Sequence, residues 1–337
     1  MPHFEQNRAD FQALLGTPIL ELGLKLKGSP VEGFVRQLYR ELEAKGIHKF
    51  RPLCYLTDAW GCLPGEPVIG IPFYLASPAL AQLARATNDL EDAREIMMYL
   101  RHAAGHAFNC AYRLNNSAEW RALFGPSRRA YRHQYRPIPF SRKFVHHMAG
   151  WHAQKHPDED FAETFAVWLT PRSQWRERYA GWDALAKLQY VDRLVRKISR
   201  VEPLRRRGRT DITVDEMAWT VGDFFRLTMP KEISLHELAL DPDLADIFNV
   251  SPRRRKDVRT AHEMLRQHRK PIVDKVAYWS GVQRPIVKRL VEAICKRVED
   301  LHLRVDVRRE SDYLIEFTVY TTALSMNYLV RGKFFHP

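Results

Sequence analysis

The sequence LRHAAGHA, at residues 100–107, places two histidines four positions apart. Apolar residues recur around it at helical spacing, so His102 and His106 share one face of a predicted helix. Two imidazoles separated by one helical turn are a common pair of Zn²⁺ ligands. The spacing by itself is permissive, because 14 histidines in 337 residues produce such pairs by chance. The pair therefore predicts a metal site only together with further ligands.

A second block, HPDEDFAETFA at residues 156–166, supplies the acidic side chains that such a site needs. Pro157 and Asp158 are typical of the first turn of a helix, which puts Glu159 and Glu163 one turn apart. One carboxylate can bind the metal, and the other can accept a hydrogen bond from a histidine ligand and fix its tautomer. The spacing leaves open which glutamate has which role.

Together the two blocks resemble the zincins that carry His-Glu-x-x-His and a glutamate as third ligand, and among them bacterial zinc-binding metallopeptidases. Residues 100–107 are similar to the family's Leu-Arg-His-Glu-Ala-Gly-His-Ala, and residues 159–163 are similar to a Glu-Phe-Phe-Ala-Glu run in anthrax lethal factor. The resemblance covers about residues 50–200. It implies an α+β, zincin-like fold in which a small sheet accompanies zinc-binding helices.

The same resemblance implies zinc-dependent hydrolysis of peptide bonds, with Zn²⁺ as the cofactor. It makes His102, His106 and Glu159 the zinc ligands. Glu163 then lies behind them as a partner of a ligand, and a direct role of Glu163 as the third ligand is the alternative.

Two positions depart from the family pattern. Ala103 stands where the family has the glutamate that takes a proton from water, and loss of such a general base typically costs about 10² to 10⁴ in rate. His152 stands where lethal factor has a tyrosine that supports charge on the substrate oxygen. His152 can donate a hydrogen bond or ligate metal, but an ordinary surface histidine is favoured over either role. Tyr131 and Tyr135 are candidate replacements for that tyrosine.

Ala103 allows two interpretations, and both predict zinc binding with little or no peptidase activity. The chain is a disabled variant of a peptidase, or it is a natural pseudoenzyme that keeps zinc for structure or for peptide binding. Retention of every inferred ligand favours the first interpretation, and the departure at His152 favours the second.

Composition predicts a globular protein with a basic surface. The chain has 45% hydrophobic residues and a formal net charge of +13, with arginine-rich clusters at residues 205–209 and 253–256. Such charge is compatible with nucleic-acid binding, but no helix-turn-helix, zinc-finger, RRM or KH signature accompanies it. A peptide or protein substrate is therefore the expected partner. The arginines of residues 128–136 would favour acidic groups on it if this segment lines the cleft, and a solvated loop is the favoured alternative.

The expected location is the cytoplasm. The sequence has no signal peptide at its start and no run of about 18 uncharged apolar residues, so neither export nor a membrane span is predicted. Cys54, Cys62, Cys110 and Cys295 are scattered rather than paired, which is typical of reduced thiols.

The predicted organisation has two domains. A zincin-like domain spans residues 1–200, a basic linker spans 201–210, and a mostly helical accessory domain with a short β pair spans 211–337. The β pair is predicted from alternating residues at Leu303–Val307 and Tyr313–Tyr320.

Within the first domain, Ile69–Ala76 is the candidate edge strand for substrate addition, with an ordinary core strand as the alternative. Asn88 and Glu91 are the predicted cap of the helix that carries the histidines. Gly105 costs that helix about 1 kcal/mol relative to alanine. A close approach of another backbone, of substrate or of a packed helix would explain it.

Overall fold

The structure, a computed structural model, describes residues 12–87, 92–131, 135, 137–228, 240–248 and 258–331. The chain divides into two compact units, each with its own hydrophobic core. The first unit comprises Met1–His133, Ser141–His147 and His152–Met229, and the second comprises Gln134–Phe140, Met148–Trp151 and Pro230–Pro337.

Helices dominate the first unit, with one small sheet beside them. Its elements in chain order are α1 (Glu32–Ala44), β1 (Leu53–Thr57), β2 (Val68–Pro72), α2 (Pro78–Thr87), α3 (Ala93–Tyr112), α4 (Ala118–Phe124), α5 (Pro157–Leu169), α6 (Trp175–Arg178), α7 (Ala184–Ile198) and α8 (Val221–Thr228). Short 3₁₀ turns lie at Ile19–Leu22, Phe73–Ala76, Leu114–Asn116, His152–Gln154 and Val214–Glu216. This mixture of helices and a small sheet agrees with the predicted α+β class.

The strands β1 and β2 form a parallel pair, and every residue of β2 is buried. On its other side β2 is paired as well, because Gly70 exchanges backbone hydrogen bonds of 2.8 and 3.3 Å with Gly61. After Pro72 the chain turns into the 3₁₀ helix Phe73–Ala76. The prediction of an edge strand over Ile69–Ala76 is therefore wrong beyond Pro72, and at Gly70 the edge is already occupied.

The histidine-bearing helix α3 begins with a capping box. The Asp92 carboxylate accepts the backbone N–H groups of Arg94 and Glu95 at 2.9 Å, and the Glu95 carboxylate accepts the N–H of Asp92 at 3.0 Å. These bonds satisfy donors that a helix start otherwise leaves unpaired. The predicted cap residues Asn88 and Glu91 lie outside the described residues.

Helices α3 and α5 pack backbone against backbone at Gly105. A Cβ added there would lie 2.8 Å from Cα and 2.9 Å from the carbonyl oxygen of Ala162. One turn further along, the rings of Phe108 and Phe165 stack with centroids 4.9 Å apart. Close helix packing therefore explains the glycine, and this approach holds the two ligand-bearing helices together.

Helix α5 begins at Pro157 as predicted and lies inside the first unit. All its residues except Asp158 are buried. Its buried Asp160 is paired with Nζ of Lys187 at 2.5 Å, which compensates one charge in the core. Glu159 and Glu163 therefore lie in the interior rather than on a solvated helix face.

The first unit continues beyond the predicted linker at residues 201–210. Two residues of that segment bind the buried Glu66 carboxylate. The Arg205 guanidinium donates a hydrogen bond of 2.8 Å to it, and the backbone N–H of Arg209 donates one of 3.2 Å. Further along, Val214 and Val221 are buried in the first core. The unit boundary at Met229 differs from the predicted one because these contacts anchor the basic run and the residues after it.

The second unit is a helical unit with a short sheet. Its elements are α9 (Asp241–Ile247), β3 (Val258–Thr260), α10 (Ala261–Ser280), α11 (Arg284–Asp300), β4 (Arg304–Asp306) and α12 (Glu310–Arg331). The strands β3 and β4 pair in antiparallel register.

The predicted pairing of Leu303–Val307 with Tyr313–Tyr320 is wrong, because Tyr313–Tyr320 belongs to α12. The alternating apolar residues do not share a buried face: Phe317 is fully buried, whereas Ile315 is 63% exposed. Exposed apolar side chains gave this helix the appearance of a strand. Among the described residues no helix is long and apolar enough to cross a membrane.

Candidate metal centre

The rings of the two α3 histidines lie close together on one helix face, as their spacing predicts. The Nε2 atoms of His102 and His106 lie 3.1 Å apart. His102 is largely buried, and the His106 side chain is 20% exposed. Helix geometry brings residues four apart onto one face, and the capping box and Gly105 fix where that face lies.

Glu159 of α5 stands at the centre of the cluster. Its Oε2 atom lies 3.1 Å from Nε2 of His102, 3.0 Å from Nε2 of His106 and 2.9 Å from Nε2 of His152. His152 is the first residue of the 3₁₀ turn that precedes α5. Three imidazoles from two parts of the chain therefore converge on one carboxylate oxygen.

These distances fit a zinc ion. With bonds of about 2.0 to 2.1 Å, a tetrahedral Zn²⁺ holds its ligand atoms about 3.3 Å from one another. The ligand atoms offered by His102, His152 and Glu159 all lie within 4.8 Å of one another. Imidazole nitrogen and carboxylate oxygen are ordinary zinc ligands. The cluster is thus positioned for a metal ion.

Glu163 lies on the other side of the His102 ring. Its Oε1 is 3.2 Å from Nδ1 of His102, and its Oε2 accepts the backbone N–H of His147 at 3.1 Å. A carboxylate this close to Nδ1 favours a proton on that nitrogen and leaves Nε2 free to bind a metal. This placement favours Glu163 as the partner of a ligand over Glu163 as the ligand itself.

The electrostatics couple proton and metal binding. Burial alone would raise the pKa of Glu159, but the charge of His106 and the hydrogen bonds from the histidines hold that pKa well below its usual range. Burial lowers the pKa of His102, yet bonds to Glu159 and Glu163 outweigh it and raise the pKa to about 9. The raised pKa favours the doubly protonated form of His102, so zinc binding must displace the proton on Nε2.

The two predicted tyrosines have different positions. The Tyr131 hydroxyl donates to Oε1 of Glu159 at 2.8 Å, which leaves Oε2 to face the histidines. Tyr135 belongs to the second unit, where its hydroxyl donates to the backbone oxygen of Gly150. Tyr131 thus contacts the carboxylate at the centre of the cluster.

Ala103, beside His102 on α3, is 5% exposed and contributes a methyl group to the first core. A methyl group cannot accept a proton, so this position supplies no general base.

Sequence reasoning favoured an ordinary surface histidine for His152 over a hydrogen-bond donor or a metal ligand. That interpretation is wrong, because Nε2 of His152 lies 2.9 Å from Oε2 of the buried Glu159. The seven-residue spacing to Glu159 spans a turn and a helix start, and such spacing carries no ligand signal of its own. The short contact of His152 with Glu159 is visible only in the folded chain.

The arrangement of these residues on two packed helices is one that could hold a metal ion through His and Glu ligands. Residues 68–193 match the model of a family described as "Putative zinc-binding metallo-peptidase". The matched segment includes all five acidic and histidine residues of the cluster, which confirms the predicted resemblance over that part of the chain. Zn²⁺ is the cofactor that both the site and the family indicate. Neither the comparison with curated proteins nor that with solved structures found a match.

Proposed function

We propose that this chain is a zinc-binding protein built on a metallopeptidase scaffold, with peptide hydrolysis disabled at Ala103. The single observation that carries the proposal is the convergence of three imidazole nitrogens on Oε2 of Glu159. The family match over residues 68–193 supports hydrolase ancestry. In a metallopeptidase with an open metal position, zinc polarises a peptide carbonyl and lowers the pKa of water.

The residues of the chain divide the work of holding the metal. His102, His106 and Glu159 bind it, and Glu163 holds the proton of His102 on Nδ1. Tyr131 occupies Oε1 of Glu159, so the carboxylate presents a single oxygen to the histidines. Such supporting contacts keep ligands in one orientation and typically contribute about 10- to 100-fold to metal affinity.

The proton-accepting step of hydrolysis has no group at position 103. Loss of a general base typically costs about 10² to 10⁴ in rate, so we expect turnover of peptides to be very low. The expected partner is a peptide or protein, which the scaffold would bind with little or no cleavage, and the expected location is the cytoplasm.

Nucleic-acid binding is the weaker candidate. Glu66 neutralises part of the 205–209 cluster through Arg205 and Arg209, and the cluster at 253–256 lies outside the described residues. Binding through phosphates weakens steeply with salt. A polyanion affinity that survives moderate salt would contradict a purely electrostatic contact.

Metal content tests the proposal directly. Elemental mass spectrometry of the purified protein, prepared without chelator, should find about one zinc per chain, as expected for one site of this ligand type. The variants His106→Ala and Glu159→Ala should lose it. His146→Ala is the matched control, because the His146 ring packs against Trp182 instead of Glu159. A wild-type protein that takes up no zinc after reconstitution would refute the proposal.

Activity is tested on the zinc-loaded wild-type chain. A broad library of peptides should remain uncleaved over a time in which an active zinc peptidase would digest it. Efficient cleavage that depends on Glu159 would show that another group replaces the missing glutamate, and it would overturn the disabled assignment.

A further inference from the structure

We propose that His152 is a fourth protein ligand of the zinc ion. All four coordination positions are then filled by the protein, and the metal has a structural role. The inference rests on the proposed zinc binding and goes beyond it. It assigns to the metal a role that does not require water or substrate to reach it.

The geometry of His152 matches that of the other histidines. Its Nε2 lies 2.9 Å from Oε2 of Glu159, as close as the Nε2 atoms of the two α3 histidines. A ligand atom of His152 also lies within 4.8 Å of those of His102 and Glu159. The rings of His152 and His102 meet edge to face with centroids 5.3 Å apart.

The backbone directs His152 towards the cluster. Trp151, the residue before it, has φ of +54°, a conformation that residues other than glycine seldom adopt. The 3₁₀ turn then forms, and the backbone N–H of Lys155 donates to the carbonyl of His152 at 3.0 Å. Two residues later α5 begins, so His152 and Glu159 are anchored to the same helix start.

The number of ligands decides the role of the metal. Structural zinc sites have four protein ligands, whereas catalytic sites have three and keep one position open. His102, His106 and His152 each place Nε2 within 3.1 Å of Oε2 of Glu159, which makes four candidate ligands. The ligand atoms of His102, His152 and Glu159 all lie within 4.8 Å of one another, and His106 reaches this group through its contacts with His102 and Glu159. A closed sphere excludes solvent from the metal independently of what stands at Ala103. It ties α3 to α5 and to the turn before it.

The test uses cobalt(II) as a visible probe in the full-length chain. Cobalt bound by four ligands absorbs strongly in the visible range, and absorption weakens and shifts when a further ligand joins. We expect the wild-type cobalt spectrum to be unchanged by acetohydroxamate, a chelating ligand for open metal positions. His152→Ala should bind acetohydroxamate with a clear spectral shift.

Zinc affinity is the second readout, measured by competition with a chromophoric chelator. We expect His152→Ala to bind zinc at least about 100-fold more weakly. Residues that only hydrogen-bond to metal ligands already contribute about 10- to 100-fold to metal affinity. His152→Gln can keep a hydrogen bond to Glu159 but removes the imidazole, and it should show the same loss. His146→Ala should match the wild type, and circular dichroism verifies that each variant is folded.

Two results would overturn the inference without touching the proposed function. One is a wild-type cobalt spectrum that shifts with acetohydroxamate as much as that of His152→Ala. The other is unchanged zinc affinity in both His152 variants while His106→Ala still loses metal. A wild-type protein that binds neither zinc nor cobalt would refute the proposed function, and the inference with it.

Discussion

The two units each contain a closely packed pair of long helices, and they bury different chemistry. In the first unit, α3 and α5 enclose His102, Glu159 and Glu163 among aromatic side chains. In the second unit, α10 and α11 bury mainly aliphatic residues such as Val276 and Leu290. Buried charges are costly unless they are paired or bound to metal. The stability of the first pair therefore depends on what occupies its cluster, and that of the second does not.

The largest expected effect is a gain in peptide hydrolysis when the first helix pair receives a general base and an open metal position. We expect the double variant Ala103→Glu/His152→Ala to hydrolyse peptides about 10² to 10⁴ times faster than His152→Ala alone, because it combines a proton acceptor with an open metal position. Initial rates on a fluorogenic peptide library measure this gain.

Ala103→Glu alone should remain inactive, because His152 still closes the site. Equal activity of the single and double variants would show that His152 does not block the metal. The triple variant that also carries Glu159→Ala is the control for zinc dependence.

Zinc should stabilise only the first helix pair. A ligand that binds the folded state adds RT ln(1 + [L]/Kd), which is about 5 kcal/mol when free zinc exceeds Kd about 10⁴-fold. Amide hydrogen exchange should therefore be much slower in α3 and α5 with zinc bound than after treatment with chelator. In α10 and α11 the exchange rates should be the same in both conditions. Equal protection of both pairs by zinc would break the contrast between the two units.

Gly105 tests how tightly the first pair is packed. Gly105→Ala places a methyl group 2.8 Å from Cα of Ala162, and backbone cannot give way as a side chain can. We expect a loss of about 1 to 3 kcal/mol in the free energy of unfolding and weaker zinc binding.

The matched control is Gly33→Ala in α1, where an added Cβ meets nothing within 4 Å. That variant should gain about 0.5 to 1 kcal/mol, because alanine is the better helix residue. Urea unfolding of both variants measures the difference. Equal effects at the two positions would show that α3 and α5 have room to separate.

The sequence allowed the ligand helices to be predicted because their signals are local. His102 with His106, and Glu159 with Glu163, each lie one helical turn apart, and Pro157 marks a helix start. The contact between His152 and Glu159 depends instead on the turn that follows Trp151, which no periodicity encodes.

Periodicity also predicted the wrong element in the second unit. The apolar residues of α12 alternate over Tyr313, Ile315, Phe317 and Val319, and this pattern predicts a strand. The residues that are buried instead follow helical spacing, at Tyr313, Phe317, Thr321 and Leu324. Which of the apolar side chains face solvent is set by tertiary packing, so the pattern alone could not decide.

The smallest expected effect on the free energy of unfolding comes from a substitution in α12 of the second unit. Ile315 is 63% exposed on α12, so Ile315→Ser should change the free energy of unfolding by no more than about 0.5 kcal/mol. Phe317 is fully buried two residues later, so Phe317→Ala should lower the free energy of unfolding by about 3 to 5 kcal/mol. Urea unfolding with and without chelator measures both variants. Neither change should depend on zinc, because the core that holds Phe317 consists of apolar contacts. A large loss at Ile315 would mean that the two positions share a buried face, as they would in a strand.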